Sequence, residues 1–306
     1  AGMARYRLTL HCGLHKTGTT TLQHVLHRNR AALARQGVFY PDPPDGVAHN
    51  RFFRPDLAHE VQPALEAFLE SGCERLLLSA EDLSTHFLSA ERAASIRDIF
   101  ARMFDIEILL YLRRQDRLKE SVFSEVVKRR FVGTIAQDTH YELDFLARLD
   151  ILAAVFGATA LRVRLYRERP APADWLIGDF CAAAELDAAR LATDGPRRNA
   201  GFHRRKTLLL SEMPVGRAPP GREFIRFLAS SEAPEDDGIR FLGSPEEHRA
   251  VLEAHRRSNE TVAARYGLPE PIPAFERTAE HDAWRPPEPI TDAERAAVLR
   301  GFVGGE

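Results

Sequence analysis

Four short apolar runs, at residues 7–12, 75–79, 106–112 and 161–166, stand 25 or more residues apart in this chain. Each is rich in the residue types that pack on a pleated surface. Antiparallel neighbours can be joined by a few residues, whereas runs this far apart pair in parallel through crossover segments. The segments between them read as helices, at about 19–35, 61–69, 90–104, 117–130 and 143–156. In the first, Leu22, Val25, Leu26 and Leu33 recur at helical spacing, and Gln36-Gly37 supplies a stop. The pattern predicts a doubly wound α/β fold, a mainly parallel sheet with flanking helices on both faces.

Beyond Thr193 the strand signals fade. The expectation is one α/β domain over 1–306, with a sheet-containing core at 1–192 and a mainly helical C-terminal extension at 193–306. Ser244 with Glu247, and Thr291 with Glu294, each place a capping hydroxyl three residues before a carboxylate and mark two helix starts. The proline-rich stretch 269–289 reads as an extended tail. Asp42-Pro43-Pro44-Asp45-Gly46 reads as a loop, since its prolines and glycine suit neither ladder.

The charge balance narrows the partners. The 306 residues carry 42 Lys+Arg against 44 Asp+Glu, a formal charge of −2. Long-range attraction to a polyanion is therefore weak, which argues against a nucleic-acid partner and a polybasic membrane binder. With 44% hydrophobic and 28% charged residues, the chain is globular rather than disordered. The longest uncharged apolar stretch, 151–161, is about half of the ~20 residues a membrane span needs, so no span is expected. Met3 reads as the native start after Ala1-Gly2, with no leader pattern. Cys12, Cys73 and Cys181 are odd in number and widely spaced, fitting neither a disulfide framework nor a zinc site. A reducing, cytoplasmic location is expected.

The stretch Leu8-Thr9-Leu10-His11-Cys12-Gly13-Leu14-His15-Lys16-Thr17-Gly18-Thr19-Thr20-Thr21-Leu22-Gln23 runs strand, glycine-bounded loop, helix start. That order aims backbone N–H groups and the positive end of a helix dipole at an anion. Gly13 and Gly18 are spaced as in the nucleotide-binding motif GxxxxGK[ST], but Thr19 stands where that motif has lysine. The charge sits inside the loop instead, on Lys16. Only four of the 42 basic residues are Lys (Lys16, Lys119, Lys128, Lys206), so a compact ammonium here is a distinct choice over a guanidinium fork. A plain turn with a helix cap is the alternative.

HKTGTTTLQ, followed by Asn29, Gly37-Val38 and Tyr40-Pro41, resembles the bacterial sulfotransferases, which use 3′-phosphoadenosine-5′-phosphosulfate (PAPS) on a P-loop-related fold. The resemblance implies that His15, Lys16, Thr17, Gly18, Thr19 and Thr20 hold the 5′-phosphosulfate, with Lys16 assisting departure of the phosphate. It implies further that Arg113, at the end of the third run, and Ser121, eight residues on, bind the 3′-phosphate. A strand-end guanidinium and a hydroxyl in the following helix suit one phosphate group. The family likeness continues through Arg162-Val163-Arg164, Tyr166-Arg167, Asp179-Phe180, Arg197-Arg198-Asn199 and Ser258-Asn259. Arg198, with Arg197, reads either as part of a basic segment over the nucleotide or as a solvated turn.

Sulfuryl transfer places acceptor oxygen, sulfur and leaving oxygen in line, as phosphoryl transfer does. Lys16 and the loop amides serve the leaving group, and with that charge balanced no metal is required. Open α/β sheets bind ligands at the carboxyl ends of their strands. Glu81, in Ser79-Ala80-Glu81-Asp82, is accordingly the first candidate base, unless that pair of carboxylates starts the next helix. His49 is the second. Asp116 and Glu120 read as salt-bridge partners, and 128–130 as a solvated helix end or a grip on an anionic acceptor. The leading function is a sulfotransferase acting on a hydroxyl or amine of a small molecule or carbohydrate. The alternatives are a variant P-loop kinase using ATP and Mg²⁺, and a nucleotide-binding scaffold without turnover.

Overall fold

The structure is a computed structural model that describes residues 6–13, 17–44, 46–54, 59–128, 143–167, 174–193, 202–212, 221–268 and 270–304. The chain forms two compact units. The first comprises Ala1–Arg113, Asp144–Arg198 and Arg257–Ile272; the second comprises Arg114–Leu143, Asn199–Arg256 and Pro273–Glu306. The units thus interleave in sequence.

In the first unit β1 (Tyr6–Gly13) is followed by α1 (Thr19–Arg28), α2 (Arg30–Ala34) and the two-residue β2 (Val38–Phe39). Then come α3 (Val61–Ser71), β3 (Arg75–Ala80), α4 (Leu83–His86), α5 (Ala90–Phe100) and β4 (Phe104–Leu112). The sheet has the order β2-β3-β1-β4-β5, where β5 is Leu161–Leu165, and every pairing is parallel. β1 therefore sits at the centre, and the connections leave it in opposite directions, the arrangement that opens a crevice at its carboxyl end. The strand periodicity of two sends alternate residues to opposite faces. Leu77, Leu109 and Tyr111 join α1, α2 and Ile177, Phe180 and Cys181 in one buried cluster. On β4 the alternate residues Ile108 and Leu110 are equally buried, α5 and α7 (Phe145–Phe156) pack against that strand, and Phe100 meets Phe104 at 6.2 Å.

Two local differences from the expected pattern have clear causes. The fifth strand, β2, is too short to show periodicity; it exists through its pairing of Val38 with Arg75 and Phe39 with Leu76. The helix expected over 19–35 breaks at Asn29, with φ −98° and ψ 16°. Its amide Nδ2 donates to Val25 O at 2.8 Å and Ala192 O at 2.9 Å, and its Oδ1 accepts from Ala192 N at 2.8 Å. A side chain that satisfies backbone groups of a distant segment competes with the helical ladder and wins here.

The rest of the first unit's helices are α8 (Trp175–Ala183) and most of α12 (Arg256–Tyr266). Asp144 caps α7 by accepting from Leu146 N and Ala147 N, and Ser258 of α12 donates to the same carboxylate at 2.8 Å. All three cysteines are free and buried.

The second unit holds α6 (Gln115–Val126), α9 (Arg204–Ser211), α10 (Arg222–Ser230), α11 (Pro245–Ala254), α13 (Ala279–Asp282) and α14 (Asp292–Gly304). Phe123, Val127, Leu210, Leu228 and Val298 form its core. Both expected capping boxes are present: Glu247 N donates to Ser244 Oγ at 3.1 Å and Glu294 N to Thr291 Oγ1 at 3.2 Å. Residues 270–289 of the proline-rich stretch are irregular apart from the single turn of α13. Asp116 is an ion-pair partner that takes both arms of Arg114, at 2.8 and 2.7 Å, and Glu120 lies 2.9 Å from His248 Nε2. Among the described residues no helix is long and apolar enough to cross a membrane.

Candidate functional site

The loop after β1 is defined by what its glycines permit. Gly13 ends β1 opposite Tyr111 of β4. A Cβ on Gly13 would overlap Thr19 Cγ2, so the first residue of α1 lies directly on the strand end and any side chain at 13 would push it away. Gly18 has φ 76° and ψ 15°, the left-handed conformation, and caps α1. A Cβ there would overlap Leu176 Cδ2 and stand 3.5 Å from Tyr166 Cε2. Thr17 and Thr19 are buried, and Leu22 N donates to Gly18 O at 3.2 Å. The first-turn amides of α1, ten residues long, therefore open toward the carboxyl edge of the sheet. His15 and Lys16, like Arg198, lie outside the described residues.

Glu81 follows β3 directly, one strand away from the loop. Thr19 Oγ1 donates to Glu81 Oε1, and Thr20 Oγ1 lies 3.4 Å from the same oxygen. Asp82 stands at the N-cap position of α4 without a side-chain capping hydrogen bond, so the acidic pair does lead into the next helix, while Glu81 also reaches back to α1. Thr19, Thr20 and Glu81 thus form one cluster at the mouth of the loop.

His49 has a different position. It is fully buried, with its ring 4.5 Å from that of Tyr40 and 5.3 Å from that of Phe52. Ser79 N donates to its Nδ1 at 3.0 Å, so the proton resides on Nε2, which donates to Pro41 O at 3.1 Å. Burial pushes its pKa down to about 4. With both nitrogens committed to backbone groups, His49 ties the 41–53 segment to the end of β3 and has no lone pair left for a substrate proton. Ser79 also binds His11: the hydroxyl lies 2.8 Å from His11 Nδ1, and burial pushes that imidazole's pKa to about 3. Ser79 is thus the hub of two neutral histidines.

On the other side of β1, Arg113 extends from the end of β4, its guanidinium 5.6 Å from the centroid of the Tyr166 ring. Since that ring also borders Gly18, it links the strand-end arginine to the helix end of the loop. Tyr166 follows the last residue of β5 and its amide donates to Leu112 O at 2.7 Å, which fixes its place. Below it Tyr111 Oη donates to Asp179 Oδ2 at 2.7 Å, and Arg164 Nε donates to the same oxygen at 3.1 Å. The arginine and aspartate of the family-like segments therefore pair with each other. Ser121 lies on α6 in the second unit and is partly exposed. The sequence pattern did not mark His11 or the bridging position of Tyr166; the signal available for the latter was an aromatic residue immediately after a strand.

The five-stranded parallel sheet with flanking helices, whose central strand ends at Gly13, makes this an α/β protein. No family model matches the chain. An uncharacterized protein of Archaeoglobus fulgidus is 24% identical over 163 residues, 52% of this chain and 45% of that protein. The chain thus spans less than half the length of that curated relative. A crystal structure of a sulfotransferase from Alicyclobacillus acidocaldarius aligns over 64% of this chain and 87% of that chain, at 18% identity and a TM-score of 0.41.

Proposed function

We propose that this protein moves a sulfuryl group from PAPS to a hydroxyl or amine of a small-molecule or carbohydrate acceptor. The observation that carries the proposal is the contact between Thr19 and Glu81, which joins a carboxylate to the first turn of the helix that closes the Gly13–Gly18 loop. The tight return at Gly13 and the left-handed Gly18 suit a cradle for a phosphate, because each brings backbone close to where a side chain would block it.

When bound, PAPS supplies a sulfuryl group already joined to a phosphate leaving group. Lys16, by its place in the sequence motif, balances the charge gathering on the leaving oxygen; His15, Thr17, Gly18, Thr19 and Thr20 line the same end. Arg113 and Ser121 are assigned to the 3′-phosphate, with Arg198 over the nucleotide. Glu81 receives the acceptor proton, and the threonine hydroxyls that hold its Oε1 fix its orientation. No metal is needed in this scheme, since Lys16 provides the compensating charge.

A second reading is favoured by the same contact. A helix-start hydroxyl beside a carboxylate is the pair that P-loop NTPases place around Mg²⁺, which suits an ATP-dependent kinase. Thr19 in place of the motif's lysine weighs against it. Thermal shift separates the two: adenosine 3′,5′-bisphosphate at a hundredfold excess over Kd adds about 2.7 kcal/mol, on the order of several degrees for a chain of this size. A larger shift with ATP and Mg²⁺ would reverse the assignment.

A further inference from the structure

We propose that a cavity at the β2 edge of the first unit binds a small ring-bearing molecule carrying a hydrogen-bond donor, an aryl alcohol or arylalkyl amine. The cavity has a volume of about 690 Å³, within the ~300–1,000 Å³ typical of small-molecule sites. It exists because β2 is the outermost strand and only two residues long, so no further strand separates α2 from α3 there. Ala34 of α2 and Ala64 of α3 line it with minimal side chains, and Phe39, Tyr40 and Phe52 supply aromatic wall.

Its polar features are unequal. Arg30 and Asp42, also at the cavity, pair with each other at 2.5 Å and are thereby satisfied. Glu60 is not. Its Oε1 accepts from Arg51, while Oε2 is buried without a hydrogen-bond partner among the described residues. A buried carboxylate oxygen left unpaired is unfavourable, and a hydroxyl or ammonium on an otherwise apolar guest corrects it. Glu60 is thus the group that selects for a donor, and the aromatic wall selects for a ring. Neither Glu81 nor any described residue of the loop after β1 lines this cavity, so the site is independent of the sulfotransfer proposal.

Calorimetry or saturation-transfer NMR on the full chain with 2-phenylethylamine and n-propylbenzene, which have equal numbers of heavy atoms, tests this. The amine should saturate and bind at least about fivefold tighter than the hydrocarbon, and Glu60→Gln should reduce that advantage to within about twofold. Ala64→Trp, which fills the cavity, should weaken the amine at least about tenfold with little change in Tm; Ala34→Trp, from an exposed position on the opposite wall, does the same if the first variant fails to fold. No saturation by the amine, unchanged affinity in the folded tryptophan variants, or an amine advantage that persists in Glu60→Gln would each overturn the proposal.

Discussion

The Thr19 hydroxyl donates to Glu81 Oε1, so the residue that begins α1 and the residue that follows β3 are held together at the carboxyl edge of the sheet. Residues 62 apart in sequence thereby meet at the point where parallel α/β sheets place their ligands. The two candidate bases thus differ in setting, Glu81 beside the first turn of α1 and His49 buried between backbone groups.

Glu81→Gln preserves shape and removes the basic oxygen. Turnover should fall by about 10²–10⁴, with affinity for adenosine 3′,5′-bisphosphate changed by less than about threefold. His49→Ala should act through stability instead, since it leaves Ser79 N and Pro41 O unpaired in a buried place. A loss of about 2–4 kcal/mol is expected in urea unfolding. Equal turnover in Glu81→Gln and parent would remove Glu81 from the mechanism.

Gly18→Ala forces a side chain into a left-handed conformation and against Leu176. The expected cost is about 1–3 kcal/mol of stability, accompanied by a larger loss of nucleotide binding than of secondary structure. Circular dichroism and calorimetry on the same sample read both. An alanine variant that binds nucleotide as the parent does would show that the loop does not form the cradle.

Arg113→Ala should weaken adenosine 3′,5′-bisphosphate by at least about tenfold, some 1.4 kcal/mol, and flatten the dependence of binding on salt. Arg113→Lys should recover part of the affinity and little of the stacking on Tyr166, because an ammonium lacks the planar fork. Unchanged affinity in Arg113→Ala would place the 3′-phosphate elsewhere.

The strands were legible in the sequence where they were long. β1, β3, β4 and β5 each present enough alternate or continuous apolar positions to show their period, and their spacing dictated parallel pairing. β2 is two residues long, too few for any period, and is specified only by its neighbour β3. The break at Asn29 was equally hidden, since it depends on Ala192, far along the chain. The close approach at Gly13 and the left-handed Gly18 were foreshadowed by a glycine-bounded stretch after a strand, because that geometry is local. His49 illustrates the opposite case: a histidine's usual pKa suggested a base, while its actual state is set by Ser79, Pro41 and two aromatic rings that the folded chain gathers around it.

The two buried histidines around Ser79 should make the protein less stable in acid. Both folded pKa values lie below the ordinary 6.5, at about 4 for His49 and about 3 for His11, so the unfolded chain takes up protons that the folded one refuses. Their contribution is complete above the unfolded value of 6.5 and is lost as pH falls through that value toward the folded ones. Each histidine costs about 1.4 kcal/mol per pH unit in that window. Urea unfolding should show markedly lower stability at pH 5 than at pH 7.5, and His11→Gln should reduce the slope by about one proton. Equal stability at the two pH values would contradict the neutral, buried state of both rings.

In the proposed reaction Lys16 balances the charge that gathers on the leaving phosphate of a sulfuryl donor. The most direct test of this role is transfer of ³⁵S from labelled PAPS to a panel of phenols, amines and sugars, comparing the parent chain with Lys16→Ala. Transfer by the parent and its near-complete loss in the variant, with the variant still folded, is the predicted result. A variant whose rate stays within about tenfold of the parent, or a parent that binds adenosine 3′,5′-bisphosphate yet sulfonates nothing in the panel, would contradict it.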